Sequence, residues 1–359
     1  MKLKFHWRLL QGGERSGVTR AAQADLLETA LPDMEAQISF CRAAEESGID
    51  SLLTDINFAK PDPTLLGLAL ALATNEVKFM IAARSGLLSP TLFVQQVNTF
   101  SALTDGRISL NIVAGHSPDE QRYYGDFLLH DERYARTDEF LAICHAFWKA
   151  NGGVNFEGRY FKVEDGRLNT PFVSADRTFP EIFIGGSSAL ARDLAIRHGS
   201  CWMRLADKSE NLTQSIAPVL DAGKEVGLRL SIIARATREE SLRAAHQLIE
   251  GLEPSLKEKQ KEAEFVRRSD SESVKATFSL AEAEWLTPTL WTGAVRYYGS
   301  PAIALVGTPE EIASAIIEYK KIGITQFIFS GWPKLDEMIY FGKEVLPLIR
   351  RKEEEDESV

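Results

Sequence analysis

The 359 residues carry 41 Lys and Arg against 51 Asp and Glu, a net charge of −10, with 44% apolar and 26% charged residues. That sign argues against a nucleic-acid coat, which needs a basic surface to neutralise phosphates, and the longest apolar run, Leu65–Ala73, is too short to cross a bilayer. Three scattered cysteines, Cys41, Cys144 and Cys201, form no C-x-x-C pair; they argue against a disulfide framework or structural zinc and for a reducing, cytoplasmic compartment. Met1 to Leu10 alternates charged and apolar residues, unlike the apolar core of a signal peptide. Lys2–Leu9 predicts a strand, and Asp33–Ser47 a helix with Met34, Ile38 and Cys41 on one face. Strand Ser51–Asp55, helix Pro63–Thr74, strand Lys78–Arg84 and helix Ser89–Thr104 follow, with Pro63 and Pro90 in first turns, where a missing N–H costs nothing. Arg107–Ala114 predicts the fourth strand and Arg136–Ala150 the next helix. Residues 151–180 interrupt the rhythm with a hairpin, Asn155–Asp165.

The alternation resumes with strand Glu181–Ile184, helix Ala189–His198, strand Cys201–Leu205, helix Glu210–Val226, strand Leu228–Ala234 and helix Arg238–Leu252. Residues 253–300 interrupt again; helix Pro309–Ile322, strand Gln326–Ser330 and helix Asp336–Arg350 close the chain. The tail 351–359, with two bases and five acids, is expected to be disordered. Eight strand–helix alternations predict one domain, 1–350, folded as an α/β (β/α)8 TIM barrel with insertions after strands 4 and 7. A doubly wound sheet would want G-x-G-x-x-G after its first strand, and Leu9-Leu10-Gln11-Gly12-Gly13 does not supply one.

Chemistry in such a barrel sits where strands end. The fifth strand ends in Gly185-Gly186-Ser187-Ser188, which opens a helix. Bare amides, two glycines and two hydroxyls there make an anion cradle, or equally a tight turn with Ser188 as helix cap. The six histidines, His6, His116, His130, His145, His198 and His246, do not pair at metal-ligand spacing, and no G-x-S-x-G elbow is present. A cradle without a strong nucleophile points to a phosphate-bearing cofactor that carries the chemistry.

At His130-Asp131-Glu132-Arg133-Tyr134, Gly185–Ser188, Ala304-Leu305-Val306-Gly307-Thr308-Pro309 and Ser330-Gly331 the chain resembles the bacterial-luciferase-like flavin monooxygenases, most of all their alkanesulfonate monooxygenase branch. The resemblance runs from the first strand to about Arg350 and implies a (β/α)8 barrel. It implies reduced FMN supplied by a separate NAD(P)H-dependent flavin reductase, O2 as oxidant, and a homodimer or homotetramer. It assigns Tyr134, Gly186, Ser187 and Ser188 to the flavin phosphate, Asn111 to the strand end facing the isoalloxazine, and Ala82–Ala83 to the place of a strained peptide beneath it. Arg229 and Arg296 match two arginines of the branch; Lys60, Ser231 and Trp332 stand where it has cysteine, histidine and tyrosine.

The implied activity is oxygenation of a small anionic substrate, a sulfonate, a carboxylate or an acyl group on a carrier protein, handled by Arg229, Arg296 and Lys60. A deazaflavin-dependent oxidoreductase and a non-catalytic flavin-binding barrel are the alternatives. With Ser231 replacing the branch's histidine, His116 is the strand-end histidine available for proton transfer. Residues 253–298 are expected to form a mobile lid that brings Arg296 onto the substrate.

Overall fold

The computed structural model describes residues 2–11, 31–115, 117–252 and 255–357. Strand β1 (Lys4–Arg8) precedes helix α1 (Met34–Glu46), which Asp33 caps by accepting from the Ala36 N–H at 3.1 Å. Strand β2 (Ser51–Thr54), helix α2 (Pro63–Leu72), strand β3 (Lys78–Ala83), helix α3 (Pro90–Leu103) and strand β4 (Ile108–Ile112) follow. Both α2 and α3 open on proline behind a side-chain cap, Asp62 and Ser89. A short helix, α4 (Pro118–Tyr123), leads to α5 (His130–Lys149), which begins six residues before the expected Arg136. Its early start has local causes: Asp131 and Glu132 favour the positive end of the helix, and Glu132 accepts from the Leu129 N–H at 3.3 Å.

The expected hairpin is β5 (Val154–Glu157) with β6 (Lys162–Gly166). Strand β7 (Glu181–Gly185), helix α6 (Ala189–His198), strand β8 (Cys201–Leu205), helix α7 (Ser209–Asp221), strand β9 (Glu225–Ala234) and helix α8 (Arg238–Ile249) come next. The second insertion, read from sequence as a long loop, instead contains α9 (Leu256–Arg268), α10 (Glu272–Leu280), β10 (Leu290–Trp291) and α11 (Val295–Tyr298). Its first half is rich in Lys, Glu and Gln, good helix formers that leave no apolar period to read. Strand β11 (Ala304–Gly307), helix α12 (Pro309–Lys321), strand β12 (Ile324–Gly331), helix α13 (Lys334–Tyr340) and a π-helical turn (Phe341–Val345) lead to α14 (Leu346–Glu357). The tail expected to be disordered thus continues a helix through Glu357. Glu353, only 6% exposed, anchors it, accepting from the Leu3 N–H at 2.8 Å and from Arg350 at 2.6 Å.

Strands β1, β2, β3, β4, β7, β8 and β9 pair in turn, all parallel, and β12 joins β9 back to β1. The ring of eight is closed, a TIM barrel. Alternate residues enter it in layers. At the N-terminal end Lys4, Glu181 and Gln326 share hydrogen bonds. Above them Leu53, Met80, Phe183, Met203 and Ile328 pack as an apolar plug. Outside, Phe5, Trp7, Phe327, Phe329 and Phe341 pack ring against ring under the helices. Strand β9 runs on past β8, and β11 takes over its free edge at Ser231–Ala234, raising one wall of the C-terminal mouth.

Glu337 on α13 is 1% exposed and clamps this raised wall, accepting from the Ala234 N–H at 2.6 Å and from Arg235 at 2.8 Å. Burial outweighs both bonds and pushes its carboxyl up from 4.5 to about 7. The unfolded chain therefore releases this proton first, and the contribution of Glu337 to stability falls as pH rises from about 4.5 to about 7. Glu337→Gln is expected to flatten that part of the stability–pH curve, measured by urea unfolding at half-unit intervals; an unchanged slope would count against the assignment.

Candidate active site

The Gly185–Ser188 turn leaves the C-terminal end of β7 and enters α6. Gly186 has φ +133°, a conformation essentially reserved to glycine, and a Cβ there would stand 2.9 Å from the Tyr134 hydroxyl and 3.0 Å from the Ala191 Cβ. Tyr134, 8% exposed on α5, thus stands beside the turn's backbone and close enough to Ser188 for its hydroxyl to act on the phenol. Burial raises the Tyr134 pKa above its usual value, against the effect of Ser188, so the phenol stays a neutral donor. Ser188 both caps α6, accepting from the Ala191 N–H at 3.2 Å, and faces Tyr134, so the two sequence readings of this turn coexist. Ser187 receives a hydrogen bond at 2.8 Å from Ser273 on α10, a residue that sequence reasoning missed. Arg133 fixes the arrangement from below, donating to the Ala114 and Leu128 carbonyls and to Asp270 between α9 and α10. Hydroxyls, a side-chain-free backbone and the start of a ten-residue helix fit a phosphate dianion.

The same end of the barrel carries a cationic cluster around Asp55. Arg8 at the end of β1 meets its carboxylate at 2.6 Å, Lys60 at 2.9 Å, and Arg229 on β9 at 3.4 Å. Gln11 holds the Asp55 backbone from both sides, accepting from its N–H and donating to its carbonyl. Burial alone would push the Asp55 carboxyl up; Lys60, Arg8 and Arg229 outweigh it and hold the group well below the usual range. Burial and the nearby Arg8 lower Lys60 to about 8, against the attraction of Asp55. Lys60 and Arg229 are therefore brought together as expected, whereas Arg8 and Asp55 are new to the site. Their positions at strand ends were the available signal.

Other expected residues are placed as follows. Asn111 is 6% exposed at the end of β4, its amide oxygen 3.8 Å from where a Gly185 Cβ would stand. Ala82 and Ala83 do not form a strained peptide; they continue the ladder opposite Asn111 and Ile112, and the cis peptide among the described residues is Trp332–Pro333. The next residue, Arg84, which sequence reasoning passed over, forms a buried ion pair with Glu120 at 2.8 Å, while its Nε and Nη1 are buried and bond no described group. Ser231 is 1% exposed and donates to the Pro301 carbonyl at 2.9 Å, so its hydroxyl is committed to the wall of the mouth. Trp332 lies against Tyr298, with ring centres 5.6 Å apart. Arg296 is not in the cationic cluster: it is exposed on α11 and its charge acts on Glu262 of α9. His116 lies outside the described residues. Among the described residues no cluster of His, Cys, Asp or Glu is suited to hold a metal ion, and no helix is long and apolar enough to cross a membrane.

Comparison with solved structures finds this fold in the EDTA monooxygenase EmoA from Chelativorans sp. BNC1, at TM-score 0.76 and 20% identity over 98% of this chain and 94% of that one. A riboflavin lyase, RcaE, solved with modified FMN and riboflavin, matches at TM-score 0.72 and 19% identity over 98% and 92% of the two chains. An F420-dependent secondary alcohol dehydrogenase bound to an F420–acetone adduct matches at TM-score 0.68 and 18% identity over 97% and 99%. At these identities the likeness shows the fold alone. The family model for luciferase-like monooxygenases matches residues 11–326, most of the chain, including the cradle and, of the cationic cluster, Asp55, Lys60 and Arg229. The chain belongs to the luciferase-like monooxygenase family.

Proposed function

We propose that this protein is a two-component, FMNH2-dependent monooxygenase acting on a small anionic substrate, related to the alkanesulfonate branch that its motifs resemble. One observation carries the reading: a phosphate cradle and a cationic cluster stand at the same end of one barrel. Tyr134, Gly186, Ser187 and Ser188 would hold the FMN phosphate, with Asn111 and Ala83 at the strand ends beside the flavin ring. When bound, the reduced flavin supplies the electrons that activate O2. Arg229 and Lys60 attract the substrate's anionic group and orient it, and Asp55 keeps these cations in place. A separate NAD(P)H-dependent reductase supplies the reduced flavin. Exposed Leu65, Leu72 and Leu103 on α2 and α3 support a homo-oligomer, which light scattering would weigh directly.

Anaerobic titration with reduced FMN, FAD and F420, followed by admission of O2, tests the reading. Tight binding of reduced FMN and O2 uptake coupled to a reductase are expected. Preference for F420, with substrate oxidation and no O2 uptake, would favour the deazaflavin reading, which the F420-dependent neighbour keeps in play. No binding of any of the three would favour a non-catalytic barrel.

Lys60 gives a pH signature. Above about pH 8 it loses its proton and the cluster loses one positive charge. The KM for an anionic substrate is expected to rise above that pH, and Lys60→Arg, which stays charged, should remove the inflection. An inflection unchanged in the arginine variant would assign it to another group.

A further inference from the structure

At the opposite, N-terminal end of the barrel the last turns of α5 and α6 and the segments entering β7 and β9 line a half-open cavity of about 590 Å3, within the range of small-molecule sites. Lys149, Arg177, Arg197 and Lys224 line it, in a protein whose net charge is −10. Part of this charge is structural. Arg197 and His198 share Asp138 at 2.7 and 2.8 Å, and Lys224 donates to the Gly199 carbonyl at the end of α6 at 2.9 Å. Arg177 lies 3.6 Å from Glu181, a carboxylate already bonded by Lys4 at 3.0 Å. Glu225, the acid in the lining, accepts from Gln326 at 2.6 Å. Asp176, next to Arg177 in the chain, feels both Lys78 and Arg177. The lining itself holds four cations, Lys149 at the exposed lip among them, against the one carboxylate of Glu225, and of the carboxylates outside it Glu181 and Asp176 are shared with Lys4 and Lys78, so the cavity stays positive.

An independent feature lies in the lining. His145 Nε2 meets the His198 carbonyl at 3.1 Å, which makes it the protonated nitrogen and leaves Nδ1 an acceptor. Nδ1 is buried and no described group donates to it. Burial, and then the positive charges of His198, Lys149 and Lys224, lower the ring to about 4, so it remains neutral and Nδ1 remains an acceptor at neutral pH. Phe179 completes an aromatic side, edge-on to His145 at 5.2 Å and parallel to Trp148 at 6.3 Å.

We propose that this cavity is a second ligand site, for a small phosphorylated molecule of the nucleoside phosphate class. The phosphate lies among Lys149, Arg177 and Lys224, and the planar base lies along the aromatic side formed by Phe179 and the neutral His145 ring. The site is separate from the flavin cradle, at the far ends of α5 and α6 from it, and does not depend on the activity proposed above.

Calorimetric titration of the full chain with AMP tests it, using protein carrying Tyr134→Phe and Ser187→Ala so that the cradle does not compete. Saturable binding at one site is expected, weakened at least tenfold by Lys149→Glu with Arg177→Glu. The milder pair Lys149→Ala and Arg177→Ala, checked by an unchanged melting temperature, should weaken it in the same direction. Absence of AMP binding, or binding indifferent to both pairs, would overturn the site. Inorganic phosphate binding as tightly as AMP would overturn the role given to Phe179 and His145.

Discussion

Gly186→Ala is expected to weaken FMN binding by one to two orders of magnitude while the barrel stays folded. The new methyl group would stand 2.9 Å from the Tyr134 hydroxyl and 3.0 Å from Ala191 Cβ, closer than such contacts allow. The backbone conformation, φ +133°, adds strain of about 1–3 kcal/mol for any residue with a Cβ. Both effects fall on the turn that presents its amides to the phosphate, so binding suffers more than global stability. Tyr134→Phe removes a single hydrogen bond, worth about 0.5–1.5 kcal/mol, and should weaken binding less than the glycine change. Flavin fluorescence titration beside thermal melts separates the two quantities. If the alanine variant melts normally and binds FMN as the parent does, the phosphate does not sit here.

Asp55→Ala should produce the largest loss of stability in the mouth. Its carboxylate, 17% exposed, is shared by Lys60 of the following loop and by Arg8 and Arg229, whose strands lie far apart in sequence. Removing one partner of a largely buried ion pair costs about 3–5 kcal/mol, because the remaining charges stay desolvated. Asp55→Asn keeps the shape and a carbonyl acceptor and should cost less. Because Asp55 is held well below the usual carboxylate range, its contribution is fully present above the unfolded carboxylate pKa and is lost as pH falls through the depressed value. The alanine variant should therefore lose part of the parent's acid dependence of unfolding. Urea unfolding at about pH 7 and about pH 2.5 measures both effects; a loss at pH 7 below about 1 kcal/mol, the worth of an exposed pair, would show that Asp55 does not hold the cluster together.

The chain alone specifies the eightfold strand–helix alternation, because each unit is written locally: short apolar strands, and helices that begin on capped prolines such as Asp62-Pro63, Ser89-Pro90 and Thr308-Pro309. It also determined the phosphate cradle as a candidate, since two glycines and two serines are contiguous at a strand end. The charge-rich α9 escaped because Lys and Glu favour helix without leaving an apolar stripe, and the acidic tail escaped because Glu353 is pinned by Leu3, 350 residues away. The composition of the mouth follows from closure of the ring. Arg229 and Asp55 are 174 residues apart and meet because the ring closes, while Arg296, equally suited by residue type, remains outside facing α9. Closure likewise committed Ser231 to Pro301 and joined Ser273 to Ser187. Local propensity and pattern act over a few residues, but which charges share one carboxylate depends on contacts between distant segments, and those exist only once the barrel has closed.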